Sequence, residues 1–293
     1  FAGGGTDIPE FYLKRGPGAV VATSINKHVY VTLTEKFDGK ISVRYRIHEV
    51  VDHVGELKHP LIREILKEYG VDGGVELVII SDVPARGSGL GASSALAVAL
   101  CLAMERFTGR ERPKISFRHH IAETASMIET ERVQSPIGKQ DHYISAFGGM
   151  NLIIFSAESV ELKTVCSEEF SDEIESQSML FYLNGGHEYA GGQFVQKILK
   201  DQVADINVRW RTYELQRDNA FRLAEHKTYE VPERFIDHVN ENWRLKQTLH
   251  ADISNQKIDE IIQTAYSAGA TAAKVCGAGG GGFLYLVVPP AMQ

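Results

Sequence analysis

The stretch Val75–Phe107, VELVIISDVPARGSGLGASSALAVALCLAMERF, decides the fold. Val75–Ser81 is β-branched and apolar and is expected to be a strand. Ser93–Phe107 is apolar nearly all round, the pattern of a buried helix. Between them lie Gly87, Gly89 and Gly91, just upstream of Ser93 and Ser94, where the helix should start. A helix N-terminus presents unpaired N–H groups and the positive end of its dipole, which together bind phosphate. Glycines let the main chain approach that phosphate, and serines there cap the helix or hold phosphate or Mg²⁺. Gly87, Ser88, Gly89, Leu90, Gly91, Ala92, Ser93 and Ser94 are therefore the candidate nucleotide cradle. A tight strand-to-helix turn with serine caps is the plainer alternative.

Two other phosphate loops fit less well. No Lys precedes the serines, so this is not a Walker P-loop. Gly87-x-Gly89-x-x-Ala92 matches the relaxed dinucleotide fingerprint, but Asp82–Arg86 separates it from its strand. The acid expected about 20 residues on should also end a second strand, whereas Glu105 falls within the helix.

Outward from this unit, Ala19–Thr34 and Lys40–Arg46 alternate as strands do. Pro60–Tyr69 has the spacing of a short amphipathic helix, Ser116–Glu131 that of a longer one, and Met150–Phe155 is a strand. After about residue 160 the chain turns acidic and polar, with one strand at Met179–Leu183. Charged helices are expected at Phe194–Ala204, Asn207–His226, Pro232–Leu249 and Asn255–Ser267, and a last strand at Gly282–Val288. The change of character between 157 and 177 divides the chain into domains at 1–165 and 166–293.

Composition limits the function. The 293 residues carry 31 Lys plus Arg against 38 Asp plus Glu, a net charge of −7. A protein that coats nucleic acid or anionic lipid needs a positive field, so neither is an expected partner. Cys101, Cys166 and Cys276 show neither CxxC pairing nor zinc-ligand spacing, which points to a reducing, cytoplasmic setting. No apolar run is long enough to span a membrane. FAGGGTD at the start has no basic region before an apolar stretch and opens inside what looks like a motif, so further residues are expected upstream.

Pro84–Leu100, PARGSGLGASSALAVAL, resembles the second motif of the GHMP kinases, the superfamily of galactokinase, homoserine kinase, mevalonate kinase and phosphomevalonate kinase. Phe1–Asp7, FAGGGTD, resembles its first motif and Lys274–Val288, KVCGAGGGGFLYLVV, its third, in the family's order. Glu129–Gly149, Leu57–Lys67 and Glu241–Ile261 are similar to the branch of heptose 7-phosphate kinases, which place a phosphate on C1 of D-glycero-D-manno-heptose 7-phosphate. Gly4 and Gly5 stand where galactokinases carry Glu and His, which disfavours galactose. The resemblance implies a two-domain α+β fold: an N-terminal domain like ribosomal protein S5 domain 2, a C-terminal ferredoxin-like domain, and an active site between them. It implies ATP and Mg²⁺ as cofactors and a sugar phosphate as the small-molecule partner. Kinases for another sugar such as fucose, and a non-catalytic sugar or nucleotide sensor, remain alternatives on the same fold.

The resemblance also assigns residues. Asp141 matches the catalytic Asp that accepts or orients the proton of the sugar hydroxyl. Lys139, two residues earlier, is a candidate to keep Asp141 ionised and meet the developing charge. Ser93 and Glu131 match the Mg²⁺ ligands, and Glu129 competes with Glu131 because the spacing from Glu131 to Asp141 is one residue shorter than in mevalonate kinases. Gly4, Gly5, Thr6 and Asp7 are expected at the sugar, with Gly279 and Gly280 in a loop closing over it. A dianionic acceptor on an acidic protein needs a local cation, and Arg15 and Arg86 are the candidates. Asn184–Phe194, NGGHEYAGGQF, departs from the Thr-Gly-then-Arg pattern of related sugar kinases.

Overall fold

The computed structural model describes residues 1–84, 87–110, 116–165, 167–183, 192–225 and 231–293. The first half of the chain runs α1 (Pro9–Arg15), β1 (Gly18–Thr23), β2 (Val29–Glu35), β3 (Ile41–Arg44), β4 (His48–Val51), α2 (Pro60–Glu68) and β5 (Val75–Ser81). It continues through α3 (Ala92–Thr108), α4 (Phe117–Met127), a π-helical turn (Ile128–Arg132), α5 (Gln140–Phe147), β6 (Met150–Phe155) and β7 (Val160–Thr164). Then follow α6 (Glu168–Gln177), β8 (Ser178–Leu183), α7 (Gly192–Asp205), α8 (Trp210–Glu225), α9 (Val231–Gln247), α10 (Gln256–Ser267), β9 (Ala272–Val275) and β10 (Gly282–Val287).

These strands form three sheets, ordered β2-β5-β3-β4, β1-β6-β7 and β8-β10-β9. All pairings are antiparallel except β3 with β5. The four-stranded sheet buries Ile41, Val43, Val75 and Leu77 against Ile62, Ile65 and Leu66 of α2 and Leu100 and Met104 of α3. That packing fixes the N-terminus of α3.

Ala19–Thr34 looks like one strand run, but it is two strands in different sheets. The break falls at its polar centre. Ser24 donates its N–H to the Gly149 carbonyl at 3.0 Å and accepts the Gly149 N–H at its Oγ, 2.9 Å away. The N–H of His28 donates to Asp82 Oδ2 at 2.9 Å, which starts β2 beside β5.

The first two sheets draw all their strands from residues 18–164, and the third draws its strands from residues 178–287. The cores are less separate. Ala19, Val21, Met150 and Leu152 of the β1-β6 sheet pack with Ala220, Phe235, Val239 and Val287 from the second half.

Candidate active site

A cavity of about 680 Å³ lies where the halves meet. The first half of the chain lines it with Gly89–Gly91, with Asp141 at the start of α5, and with β1. The second half lines it with Asn242 and Lys246 of α9 and Lys274 of β9. Among the residues expected at the site, Gly4, Gly89, Leu90, Gly91 and Asp141 line this cavity.

Two close approaches explain why the central loop is rich in glycine. Gly91, at φ +69°, faces Asp141, whose carboxyl carbon lies 3.1 Å from where a Cβ would stand. The glycine loop therefore rests directly on the carboxylate. Gly89 faces the third motif, where a Cβ would come within 2.6 Å of the Cys276 carbonyl oxygen. Ser88 is buried and its carbonyl accepts the N–H of Phe283 at 3.0 Å. The second and third motifs are thus interlocked backbone to backbone. Ala92 is buried at the first turn of α3, whose leading N–H groups have no acceptor within the helix.

The serines bind a carboxylate. Ser93 Oγ donates to Glu129 Oε1, and Ser94 Oγ to Glu129 Oε2 at 3.2 Å. His142 is fully buried, and its Nε2 lies 2.8 Å from Oε2 of the same carboxylate. Burial opposes the ionisation of Glu129, but these three donors outweigh it and hold the group below the usual carboxylate range.

This geometry settles which carboxylate meets Ser93: it is Glu129, while Glu131 is exposed on the π-helical turn. On an α-helix, residues two apart point to nearly opposite sides, so only one of them can face the loop. The π turn begins at Ile128 and resets the register, turning Glu129 inward.

Asp141 is set differently. It accepts no hydrogen bond from any described residue. Burial first, then the nearby Asp7 and Glu129, pushes its carboxyl up to about 6, while His142 and, less strongly, Lys246 act in the opposite sense. Lys139 is drawn away from it. Lys139 Nζ donates to Glu123 Oε1 at 2.6 Å, and Glu123 also accepts from Tyr143 at 2.6 Å. The lysine acting on Asp141 is Lys246, whose ammonium donates to the Gly277 carbonyl.

The remaining residues of the first and third motifs buttress the site. Asp7 is 2% exposed and accepts the N–H of Gly5 at 3.1 Å and of Gln140 at 3.0 Å, which anchors the turn before Asp141. Burial raises its pKa although both N–H groups oppose this. Thr6 is fully buried and ties Gly3 to Ala19 through its hydroxyl. Gly5 packs on the Tyr213 ring, Gly279 on Ile253, and Gly280 on Phe194. None of these five lines the cavity. Arg15 stacks over Trp210 at 4.9 Å, also away from it. Arg86 and residues 184–191 of the atypical loop lie outside the described residues.

The spacing did not point to Lys246, Lys274 or His142. A signal existed for the first. Phe235, Val239 and Asn242 of α9 are buried, and Lys246 continues the same helical stripe.

Residues 57–149 match the family model for the GHMP kinases N terminal domain, and residues 227–293 match that for the GHMP kinases C terminal domain. The chain belongs to the GHMP kinase family. This kinase is an ATP-dependent phosphotransferase with the family's two-domain fold. It is 27% identical over 303 residues to D-glycero-alpha-D-manno-heptose 7-phosphate kinase of Campylobacter jejuni, covering 99% of this chain and 86% of that protein. It is 28% identical over 248 residues to mevalonate kinase of Thermococcus sibiricus, covering 82% of this chain and 67% of that protein. A crystal structure of a D-glycero-D-manno-heptose 1-phosphate kinase from Bacteroides thetaiotaomicron shares the kinase's fold. The TM-score is 0.68 at 23% identity, over 99% of this chain and 85% of that one. Among the described residues, no helix is long and apolar enough to cross a membrane.

Proposed function

We propose that this kinase transfers the γ-phosphoryl group of ATP to the C1 hydroxyl of D-glycero-D-manno-heptose 7-phosphate, giving the 1,7-bisphosphate. The observation that carries the reading is the pairing of Asp141 with Gly91. A carboxylate that accepts no hydrogen bond from a described residue touches a glycine loop at a helix N-terminus. That loop is built for phosphate, and the carboxylate is placed beside it to take a proton. The extent of the match to the Campylobacter jejuni enzyme supports the heptose phosphate as acceptor.

In this reading Asp141 takes the proton of the sugar hydroxyl as its oxygen bonds to the γ-phosphorus. The bond from phosphorus to the bridging oxygen breaks, and ADP leaves with that electron pair. The N–H groups of residues 89–94 hold the nucleotide phosphates. Ser93 and Glu129 fit Mg²⁺, since a hydroxyl and an ionised carboxylate are the hard oxygen donors it prefers. When bound, the ion neutralises phosphate charge. Among the described residues no group of three or more His, Cys, Asp or Glu could hold a metal, so the remaining ligands would be phosphate and water. The division at 1–165 and 166–293 belongs to the same proposal, supported by family models that fall on either side of it.

The test is ADP release from ATP and Mg²⁺ with a panel of acceptors: heptose 7-phosphate, free heptose, fucose and mevalonate. Heptose 7-phosphate should give the highest kcat/KM. Preference for a neutral acceptor would reject this substrate.

A further inference from the structure

Asp141 lies in the first turn of α5, and the residue that precedes this helix does not cap it. Lys139 has helical backbone angles, and its side chain makes no capping hydrogen bond. The cap comes from the first motif instead. Asp7 Oδ2 accepts the N–H of Gln140 at 3.0 Å, across 133 positions of sequence. An acid at a helix N-terminus satisfies one of its unpaired N–H groups and meets the positive end of its dipole. Asp7 is thus bonded to the residue directly before Asp141. After burial, its charge is also the largest influence raising the Asp141 carboxyl.

The Asp7 carboxylate has little room to move. Its Oδ1 accepts the N–H of Gly5 at 3.1 Å. Against its other side lies Gly138, whose φ is outside the left-handed region. A Cβ on Gly138 would stand 2.0 Å from Asp7 Oδ2, 2.2 Å from Cγ and 2.7 Å from Oδ1. The carboxylate of Asp7, and not the backbone, therefore demands glycine at that position. The turn that carries Asp7 is fixed in its own right, because the Thr6 hydroxyl bonds to Gly3 and to Ala19 of β1. Asp141 meets the glycine loop at Gly91, 3.1 Å from where a Cβ would stand, so a small shift of α5 changes that contact. Asp7 itself is 2% exposed and does not line the cavity.

We infer that Asp7 is a positioning residue for the chemical step: by capping α5 from the first motif it sets where the Asp141 carboxylate stands against the glycine loop, without touching the acceptor. The inference rests on the proposed reading of Asp141 as proton acceptor and deepens it. It moves the acid of the first motif from sugar binding to placement of the base.

The test uses the intact kinase with ATP, Mg²⁺ and whichever acceptor of the panel gives the highest kcat/KM. Asp7→Ala should lower kcat by about 10–100-fold, the scale for a catalytic group misplaced by about 1 Å. KM for acceptor and for ATP should stay within about twofold. Asp7→Asn keeps the shape and one of the two acceptor atoms, so its loss should be smaller. In an Asp141→Asn enzyme, Asp7→Ala should cost no more than about twofold further, because a residue acting through Asp141 has nothing left to place. Gly138→Ala displaces the carboxylate without altering it, and it carries the test if Asp7→Ala does not fold. It should reproduce the fall in kcat, and it should add little to Asp7→Ala, where the atoms it strikes are gone. A rise in acceptor KM with kcat unchanged would overturn the inference, because Asp7 would then hold the sugar. Equal losses in the wild-type and Asp141→Asn backgrounds would overturn it as well, that being the signature of a purely structural acid. Loss of turnover in Asp141→Asn with none in folded Asp7 and Gly138 variants would reject this inference alone. Wild-type turnover in Asp141→Asn would remove both the inference and the reading of Asp141 beneath it.

Discussion

The first half of the chain brings one carboxylate, Asp141, to the cavity with Glu129 and Asp7 behind it, and the second half brings Lys246 and Lys274. The two carboxylates behind the cavity are held, and neither lysine forms an ion pair with a described carboxylate. Glu129 has donors on both oxygens, and Asp7 is secured by two backbone N–H groups. Asp141 alone on that side accepts nothing from a described residue. Two carboxylates in neighbouring elements are therefore pushed in opposite directions, Glu129 down and Asp141 up to about 6. In the proposed reading, such divergence gives one site both a charged metal ligand and a proton acceptor.

The sharpest way to break this contrast is to remove the unheld acid. Asp141→Asn should lower kcat by about 10²–10⁴ with little change in ATP affinity. The pH dependence follows from the raised value. Asp141 must be ionised to accept a proton, so kcat should fall as pH drops through about 6. An unperturbed Asp would place that fall near pH 3.9. A pH profile of the wild type measures the limb, and the Asn variant should lack it.

Next in size is the held acid. Glu129→Gln should raise the Mg²⁺ concentration needed for half-maximal rate, and the same change at the exposed Glu131 should not. Replacing His142 by Leu strips one donor from Glu129 and should cost about 10–100-fold in apparent Mg²⁺ affinity, the scale for partners behind a metal ligand. Gln at that position keeps an N–H donor and should recover part of the loss. If Glu131→Gln proved as harmful as Glu129→Gln, the assignment of the ligand would fail.

The smallest effect is expected at Lys139. Its partner is Glu123, half exposed and outside the cavity, and pairs of that kind contribute about 0–1 kcal/mol. Lys139→Met should keep kcat within about twofold and shift the melting temperature by a few degrees at most.

Much of this was legible in the sequence. The strand–glycine loop–helix unit lies where Val75–Phe107 placed it, and Asp141 lies at the cavity beside that loop. Residues whose importance depends on register were harder to read. Glu129 and Glu131 are chemically alike, and choosing between them requires the π turn, which no hydrophobic period reveals. Lys139 is close to Asp141 in sequence, yet Glu123, in the second turn of α4, captures its ammonium. Lys246 sits among ordinary surface-like charges and Lys274 alone in an uncharged stretch, and only the packing of α9 on the last sheet brings the two together. Asp7 and Thr6 belong to a motif whose resemblance implies sugar contact, and in the structure their side chains bond to the backbone around them.

The interlock between Gly89 and Gly277 has a consequence for the protein's unfolding. The central glycine loop is wedged against a turn from the far end of the chain, and an amide of the last strand closes on the Ser88 carbonyl. Neither loop can loosen without the other, so their opening is one cooperative event. Protection of the Phe283 amide from hydrogen exchange is thus a gauge of order in the central glycine loop, read from the opposite end of the polypeptide.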